Sequence, residues 1–287
     1  MNNTRAIFLM IGAMAGFASV DAFFKLATAT QSPGQILALT SIGSLAIFTV
    51  ILWRNGERLV HADALVPLVQ IRAAAETAGT FGIVMALAVV PLAEVTVIAQ
   101  SQPLVVTLMA AAFLGEKVGP RRWTAVALGL LGVIIIMRPG LGTFDPNHLW
   151  VLLYVVGLSF RDVASRALPS NLSTAFVVSW SLIWMICFGA FLMPFQGGWH
   201  PIDRQTAFYL AGITITVSIA LALITMSFRA GEIGAVAPFR YARIVFGLAL
   251  AWLVFGETLD LISWLGLALI VGSGLYAFWR ENQLSRG

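Results

Sequence analysis

The chain has 287 residues, of which 59% are hydrophobic and only 10% are charged. A typical soluble domain has about 25% charged residues, so this composition excludes a polar-coated globule and predicts a chain embedded in a lipid bilayer. The sequence pI is near 9.7. The basic residues form no cluster on a soluble segment and do not alternate with aromatic residues, so we expect no nucleic-acid partner.

Apolar stretches recur along the whole chain at about 17 to 25 residues, the length that spans a bilayer. They predict ten transmembrane helices, which in chain order are Ala6–Thr28, Gly34–Trp53, Ala64–Val90, Leu92–Leu114, Arg122–Met137, Leu149–Leu168, Thr174–Phe195, Thr206–Phe228, Ile233–Phe255 and Leu261–Trp279. Proline, glycine and asparagine separate most of these spans. Since no separate extramembrane domain is predicted, we expect the protein to act within the bilayer.

The sequence contains two copies of one unit, related by an offset of 141 residues. The offset pairs Asp21 with Asp162, Lys25 with Arg166, Met85 with Met226, Glu116 with Glu257, and Trp123 with Trp264. An odd number of helices per copy inverts the second copy. We therefore predict an all-α polytopic membrane protein of ten transmembrane helices in two inverted five-helix repeats, residues 1–140 and 146–287, with the seam in the loop Arg138–His148.

The distribution of basic residues predicts which loops are cytoplasmic, because short loops rich in lysine and arginine stay in the cytoplasm. With the N-terminus inside, the outer loops carry only Arg138 and Arg204. The cytoplasmic segments carry Arg5, Arg54, Arg58, Lys117, Arg121, Arg122, Arg229, Arg280 and Arg286. We expect a multi-pass protein of the inner (plasma) membrane with both termini in the cytoplasm.

The third span contains the first charges that we interpret as a binding site. A charge at the bilayer centre costs at least about 2.5 to 3.5 kcal/mol, so it should pair or bind something. Arg72 and Glu76 lie roughly 12 and 18 Å into the span, four residues apart and therefore on one face. They form either a pair that neutralises itself or part of a substrate site.

The ninth span contains the densest polar cluster, Arg240, Tyr241 and Arg243. The two arginines are three residues apart and share a helical face, with no acidic residue of the same span within reach. Either acids of other helices neutralise them or a ligand anion does, because the planar guanidinium group suits carboxylate and phosphate.

The offset extends this site to the fourth span, where Gln100 and Gln102 correspond to Tyr241 and Arg243. Pro103 and Pro238 predict that both helices are locally opened, which is tolerated where the backbone lines a cavity. Thr214 and Ser218 of the eighth span add a polar stripe that helix packing explains equally well. The predicted substrate-binding residues are Arg72, Glu76, Gln100, Gln102, Thr214, Ser218, Arg240, Tyr241 and Arg243.

Two acid–base pairs lie closer to the membrane surfaces. Asp21 and Lys25 fall near the outer end of the first span, and Asp162 and Arg166 fall near the cytoplasmic end of the sixth. We interpret each pair as a gate that closes with its own side of the pathway. The alternative is that the long side chains only reach toward the membrane interface.

The endings Leu114-Gly115-Glu116 and Phe255-Gly256-Glu257 each follow a repeat's fourth helix. With ten spans, they make the chain resemble the EamA-type branch of the drug/metabolite transporter superfamily. The resemblance implies cytoplasmic termini, a central cavity between first, third, fourth, sixth, eighth and ninth helices, and export or exchange of small metabolites such as amino acids. The stretch Ala237–Arg243 is similar to a sub-branch whose members include uptake carriers for S-adenosylmethionine or riboflavin.

The leading functional hypothesis is a secondary transporter that moves a small polar, carboxylate-bearing metabolite by alternating access. The alternative is an uptake carrier for a larger metabolite such as S-adenosylmethionine or riboflavin. A lipid flippase is less favoured. So is an intramembrane enzyme, because His61, His148 and His200 are dispersed in loops, and we predict no catalytic, metal or cofactor site. Small residues in the fifth and tenth spans permit a homodimer.

Overall fold

The computed structural model describes residues 3–60, 62–116, 118–138, 145–169, 171–231 and 236–284, and their regular structure is helical. We label the transmembrane helices α1 (Asn3–Thr28), α2 (Pro33–Arg54), α3 (Pro67–Val89), α4 (Leu92–Ala99 and Gln102–Phe113), α5 (Pro120–Met137), α6 (His148–Ala167), α7 (Thr174–Leu192), α8 (Arg204–Ala230), α9 (Ala237–Tyr241 and Ala242–Phe255) and α10 (Leu261–Leu284). The predicted all-helical fold of ten spans is confirmed.

In the part of the chain that the structure describes, nine helices are long and apolar enough to cross a bilayer. The exception is α6, whose 20 residues include Arg161, Asp162 and Arg166. The predicted seam falls mostly on residues 139–144, which lie outside the described residues, as do Lys117, Arg286 and the predicted start of the ninth span at Ile233.

The third helix begins later than the apolar pattern predicts. Ala62–Leu65 forms a separate 3-10 turn, and α3 begins at Pro67, because proline fits the first helical turn, where its missing N–H is not needed. Arg72 and Glu76 therefore lie about 8 and 14 Å along the helix, shallower than predicted from the sequence.

Both helices predicted to be opened are interrupted. Gln100 and Ser101 separate the two halves of α4, and the second half begins with Gln102 and Pro103. In α9 the stretch Ala237–Tyr241, which contains Pro238, is a 3-10 helix that leads into Ala242–Phe255. Since proline lacks the N–H that would continue an α-helix, each interruption places irregular backbone inside the bundle.

The two repeats interlock. Helix α1 packs along α8, α3 along α6, α2 along α7, and α5 along α10. In addition, α1 contacts α9 and α6 contacts the second half of α4. Each of these contacts joins one repeat to the other and has a counterpart under the offset, so the five-helix units form a single interlocked body.

Glycines set the distance between the helices that cross at the centre. A Cβ atom on Gly157 of α6 would lie 2.7 Å from Gly79 Cα of α3. The equivalent crossing joins α1 and α8, where a Cβ on Gly16 would lie 2.9 Å from Ala220 Cβ. The close approach allows side chains on α1, α3 and α6 to reach one another.

The helix directions define two faces of the molecule. The first residues of α1 and the end of α10 lie on one face, which we call the terminal face, and the loops after α1, α3 and α9 lie on the other, which we call the opposite face. Helix α6 runs from the opposite face to the terminal face. Asp21 therefore lies toward the opposite face, and its equivalent Asp162 lies toward the terminal face.

Candidate substrate site and gates

Four charged side chains and one amide form a cluster in the terminal half of the bundle, which we call the terminal-half network: Arg72, Glu76, Gln102, Arg161 and Asp162. Glu76 accepts hydrogen bonds from Arg72 Nη1 at 2.8 Å and from Arg161 Nη1 at 2.9 Å. Asp162 accepts from Arg161 Nη2 at 2.7 Å and from Gln102 Nε2 at 3.1 Å. The two cations balance the two carboxylates.

Two serine hydroxyl groups accept further hydrogen bonds from the Arg72 guanidinium group. Its Nε donates to Ser165 Oγ at 2.8 Å, and its Nη1 also donates to Ser181 Oγ at 2.7 Å. The Arg72 side chain is only 9% exposed. Arg72 and Glu76 therefore form a neutralised pair, one of the two alternatives that the sequence allowed, and Arg161 extends this pair. A role of Arg72 and Glu76 in substrate binding stays a prediction.

A second pair lies in the opposite half. Arg243 of α9 contacts Asp21 of α1 through Nη2 at 2.6 Å and Nε at 3.2 Å, and donates to Tyr154 Oη at 3.3 Å. Its guanidinium carbon lies 5.8 Å from the centre of the Phe17 ring. For Arg243, an acid of another helix supplies the neutralising charge.

Arg240 is in a different situation. Its side chain is exposed, and among the described residues no carboxylate oxygen lies within 4.0 Å of it. It interacts electrostatically with Asp162, Arg161 and Arg243, which places it between the terminal-half network and the Asp21–Arg243 pair. Arg240 is thus a cation near the start of α9 whose side chain the protein leaves uncovered.

The other predicted binding residues make packing and hydrogen-bond contacts of their own. The hydroxyl of Tyr241 packs against Gly274 of α10, where an added Cβ would lie 1.8 Å from it. Thr214 packs against Gly43 of α2, and Ser218 donates within its own helix to Thr214 O at 2.8 Å. Gln100 lies at the interruption in α4 and is 8% exposed. The contacts of Thr214 and Ser218 are thus those of helix packing, the second explanation given above for this polar stripe.

Among the described residues, the predicted pairs Asp21–Lys25 and Asp162–Arg166 do not form, and the two cations instead pair across the repeats. Lys25 Nζ lies 3.1 Å from Glu257 Oε1, and Arg166 Nη1 lies 3.2 Å from Glu116 Oε1. Asp21 and Asp162 turn instead toward α9 and α4. Four-residue spacing does allow pairing within a helix, as Arg72 and Glu76 show, so it is the partners on neighbouring segments that separate each acid from its base.

Asp260 lies outside the membrane-spanning segments at the opposite face. It accepts a hydrogen bond from Ser263 N at 2.9 Å at the start of α10 and also contacts Arg138 at the end of α5. The hydrogen bonds from Ser263, and then that from Arg138, lower the pKa of Asp260 to about 2. Asp260 is therefore ionised at neutral pH and ties the two peripheral helices together.

The small residues of the peripheral helices are used within the molecule. A Cβ on Gly132 would lie 2.7 Å from Gly266 O, and a Cβ on Gly129 would lie 2.6 Å from Ser273 Oγ. These contacts hold α5 against α10, and the homodimer stays a prediction. The surface pocket beside Leu128 lies between α5 and α10, and the one beside Trp252 is lined by α4, α9, residues 257–259 and Trp264. Arg240 lines neither of them.

The sequence interpretation assigned no function to Tyr154, Ser165 or Ser181, and did not recognise the glutamates as partners of the gate residues. The offset contained a usable signal, because Glu116 and Glu257 are equivalent, as are Lys25 and Arg166. No local pattern identifies Ser165 or Ser181, since a serine in a transmembrane helix is as common in packing as in binding.

Two inverted five-helix repeats, interrupted helices at mid-depth and ion pairs inside the bundle are the architecture of a secondary transporter. The chain belongs to the EamA-like transporter family, whose family model matches residues 4–138 and 146–279. It is a multi-pass membrane transporter of the drug/metabolite transporter type.

Several relatives have names that state a substrate. A riboflavin transporter of Rhizobium johnstonii is 27% identical over 86% of this chain and 77% of its own length. One of Brucella anthropi is 25% identical over 96% of this chain and 99% of its own. An S-adenosylmethionine uptake transporter of Rickettsia bellii is 26% identical over 72% of this chain and 69% of its own.

A crystal structure of another protein has the same fold. It superposes with a TM-score of 0.64 over 95% of this chain and 98% of its own, at 21% identity. At that identity the likeness concerns the fold alone.

Proposed function

We propose that the chain is an uptake carrier of the inner membrane, with cytoplasmic termini, for a metabolite resembling riboflavin in size and chemistry. The observation that carries the proposal is Arg240, an exposed cation near the start of α9 with no carboxylate within 4.0 Å among the described residues. The names of the relatives from Rhizobium and Brucella support the same substrate.

The chemistry of the guanidinium group suits a flavin. A planar guanidinium donates two parallel hydrogen bonds to adjacent acceptors and stacks on flat rings. The isoalloxazine ring offers adjacent carbonyl oxygens and ring nitrogens as acceptors and carries no net charge at neutral pH. A neutral ligand of this kind satisfies the donors of Arg240 without disturbing the balanced charges on either side.

S-adenosylmethionine fits this environment less well. It carries a sulfonium and an ammonium group against one carboxylate, so it is a net cation that approaches Arg240 at an electrostatic cost. Asp21, Glu76 and Asp162 each already have an arginine partner, and none of the three is free to receive the sulfonium. A small carboxylate-bearing metabolite is the second candidate, since Arg240 would pair with it directly.

Binding is tested by the quenching of riboflavin fluorescence on titration with the purified protein. Replacing Arg240→Gln removes a charge-assisted donor worth about 1.5 to 3 kcal/mol, so we expect affinity to fall about tenfold or more. Arg54→Gln is the matched control, because Arg54 is also exposed but ends α2 at the terminal face. The control should bind riboflavin like the wild type.

Other outcomes distinguish the remaining substrates. If S-adenosylmethionine raises the melting temperature and riboflavin does not bind, the result would support an uptake carrier for S-adenosylmethionine. Stabilisation by small carboxylates alone would support the anion carrier. Unchanged riboflavin affinity in Arg240→Gln would remove Arg240 from the site. Uptake into proteoliposomes then checks that the bound compound is also transported.

A further inference from the structure

The polar contacts between the repeats repeat themselves under the 141-residue offset. In the first set, Asp21 contacts Arg243 and the equivalent Asp162 contacts Gln102. In the second set, Lys25 contacts Glu257 and the equivalent Arg166 contacts Glu116. In each set, a first helix of one repeat contacts the fourth helix, or the loop just after it, in the other repeat. The inverted symmetry places one contact of each set toward each face.

We propose that Glu116 and Glu257, the glutamates of the two Gly-Glu endings, are gate residues that close the transport pathway at the terminal and opposite faces respectively. Each glutamate follows the fourth helix of its own repeat and binds a cation of the other repeat. Alternating access moves one repeat against the other. Such a bond therefore forms only when its own face is closed.

The opposite-face gate is the more elaborate. Lys25 also donates to Val90 O at 2.8 Å, and Glu257 Oε2 accepts from Ala93 N at 3.0 Å. Ala93 belongs to the first turn of α4, whose N–H groups lack partners within the helix and attract negative charge. Both gate side chains are only 18% exposed. Glu257 thus joins α9, α1 and α4 in one closed arrangement.

The terminal-face gate is more open to solvent. Arg166 and Glu116 are 53% and 41% exposed. The positions equivalent to Val90 and Ala93 are Gly231 and Gly234, and Gly234 lies outside the described residues. A more exposed ion pair contributes less, so this structure is closed more firmly at the opposite face.

Cysteine labelling tests the two gates without any substrate. Ala18 of α1 and Ser159 of α6 are equivalent positions and both are 0% exposed. Each is changed to cysteine in a Cys187→Ser background, which removes the exposed native thiol. A water-soluble maleimide then reports which face of the purified protein has opened.

Glu257→Gln should raise labelling at the Ala18→Cys probe, and Glu116→Gln should raise it at the Ser159→Cys probe. The change at the Ala18→Cys probe is expected to be roughly fivefold, the population shift that corresponds to losing one partly buried ion pair. The change at the Ser159→Cys probe should be smaller, because the Arg166–Glu116 pair is more exposed. Asp260→Asn is the control. Asp260 lies at the opposite face but joins the peripheral helices and not the proposed gate, and the asparagine that replaces it can still cap α10. It should leave both probes unchanged.

A charge exchange separates gating from misfolding. The double variant Arg166→Glu with Glu116→Arg restores an ion pair at the exposed gate, so we expect labelling at the Ser159→Cys probe to return toward the wild-type level. The proposal would be overturned if Glu257→Gln and Glu116→Gln each raised labelling equally at both probes. It would also be overturned if the exchanged pair left labelling at the Ser159→Cys probe as high as in Glu116→Gln. Failure of riboflavin to bind would leave this result unaffected.

Discussion

Two arginines three residues apart on α9 have different surroundings. Arg243 is held by Asp21 and Tyr154, whereas Arg240 is exposed between two groups of paired charges. Burying a charge is costly, and a buried partner left alone is costlier still. The same residue type therefore serves packing at one position and, in our proposal, binding at the other.

This difference predicts that substituting the two arginines has unequal effects on stability. Arg243→Gln leaves the Asp21 carboxylate buried without its cation, and we expect a loss of about 3 to 5 kcal/mol. Adding Asp21→Asn should recover part of that loss because the stranded charge disappears. Arg240→Gln is the matched control and should unfold like the wild type. Thermal unfolding in detergent measures all three, and equal destabilisation by the two arginine substitutions would contradict the assignment.

At the scale of elements, the crossings of α1 with α8 and of α3 with α6 hold the site together. Small residues at these crossings bring the helix backbones close, since packing rather than water drives helix association in a bilayer. The α1–α8 crossing has Ala220 at the position that Gly79 occupies in the α3–α6 crossing, so the two differ by one methyl group. The α3–α6 contact is therefore the tighter of the two, and it carries Glu76 and Arg161.

Substituting Gly157→Ala tests this crossing. The added methyl would meet the backbone of Gly79 at 2.7 Å, so the helices must separate, and we expect a loss of about 1 to 3 kcal/mol, or roughly 2 to 10 °C in apparent melting temperature. Gly272→Ala is the control, because nothing lies within 4 Å of its added methyl. Should both variants melt together, the close crossing would not matter for stability.

At the scale of the whole molecule, the contacts between the repeats include the long pairings of α1 with α8 and of α3 with α6. The inverted arrangement of the repeats is what places equivalent residues, such as Lys25 and Arg166, on opposite faces. A carrier with two equivalent gates needs this relation, because a single rocking motion must open one face while it closes the other.

Reporter fusions test the orientation. Fusions after Arg58 and Arg122 should lie in the cytoplasm, because these loops carry the positive charge that retains them there. A fusion after Asp260 should lie outside. Alkaline phosphatase, active only outside, and a fluorescent protein, active only inside, provide complementary readouts. If Arg122 and Asp260 report the same side, the inverted topology is wrong.

The sequence by itself determined the number of helices, the repeat and the interrupted helices at Pro103 and Pro238. These follow from local properties: the apolar length that a bilayer requires, the missing N–H of proline, and residue identities that recur at a fixed offset. Arg240 and Arg243 could also be recognised as misplaced charges, because a charged side chain inside a bilayer is costly and therefore rare.

Only the tertiary structure decided which charges face each other. Asp21 and Lys25 are neighbours on one helix, yet their partners are Arg243 and Glu257, more than 200 positions away. Such partners depend on how α1 is rotated and tilted against α9 and α4, which the apolar pattern does not specify because those spans are hydrophobic around most of their circumference. Helix packing therefore decides which arginine has a carboxylate partner, as Arg243 has, and which has none among the described residues, as is the case for Arg240.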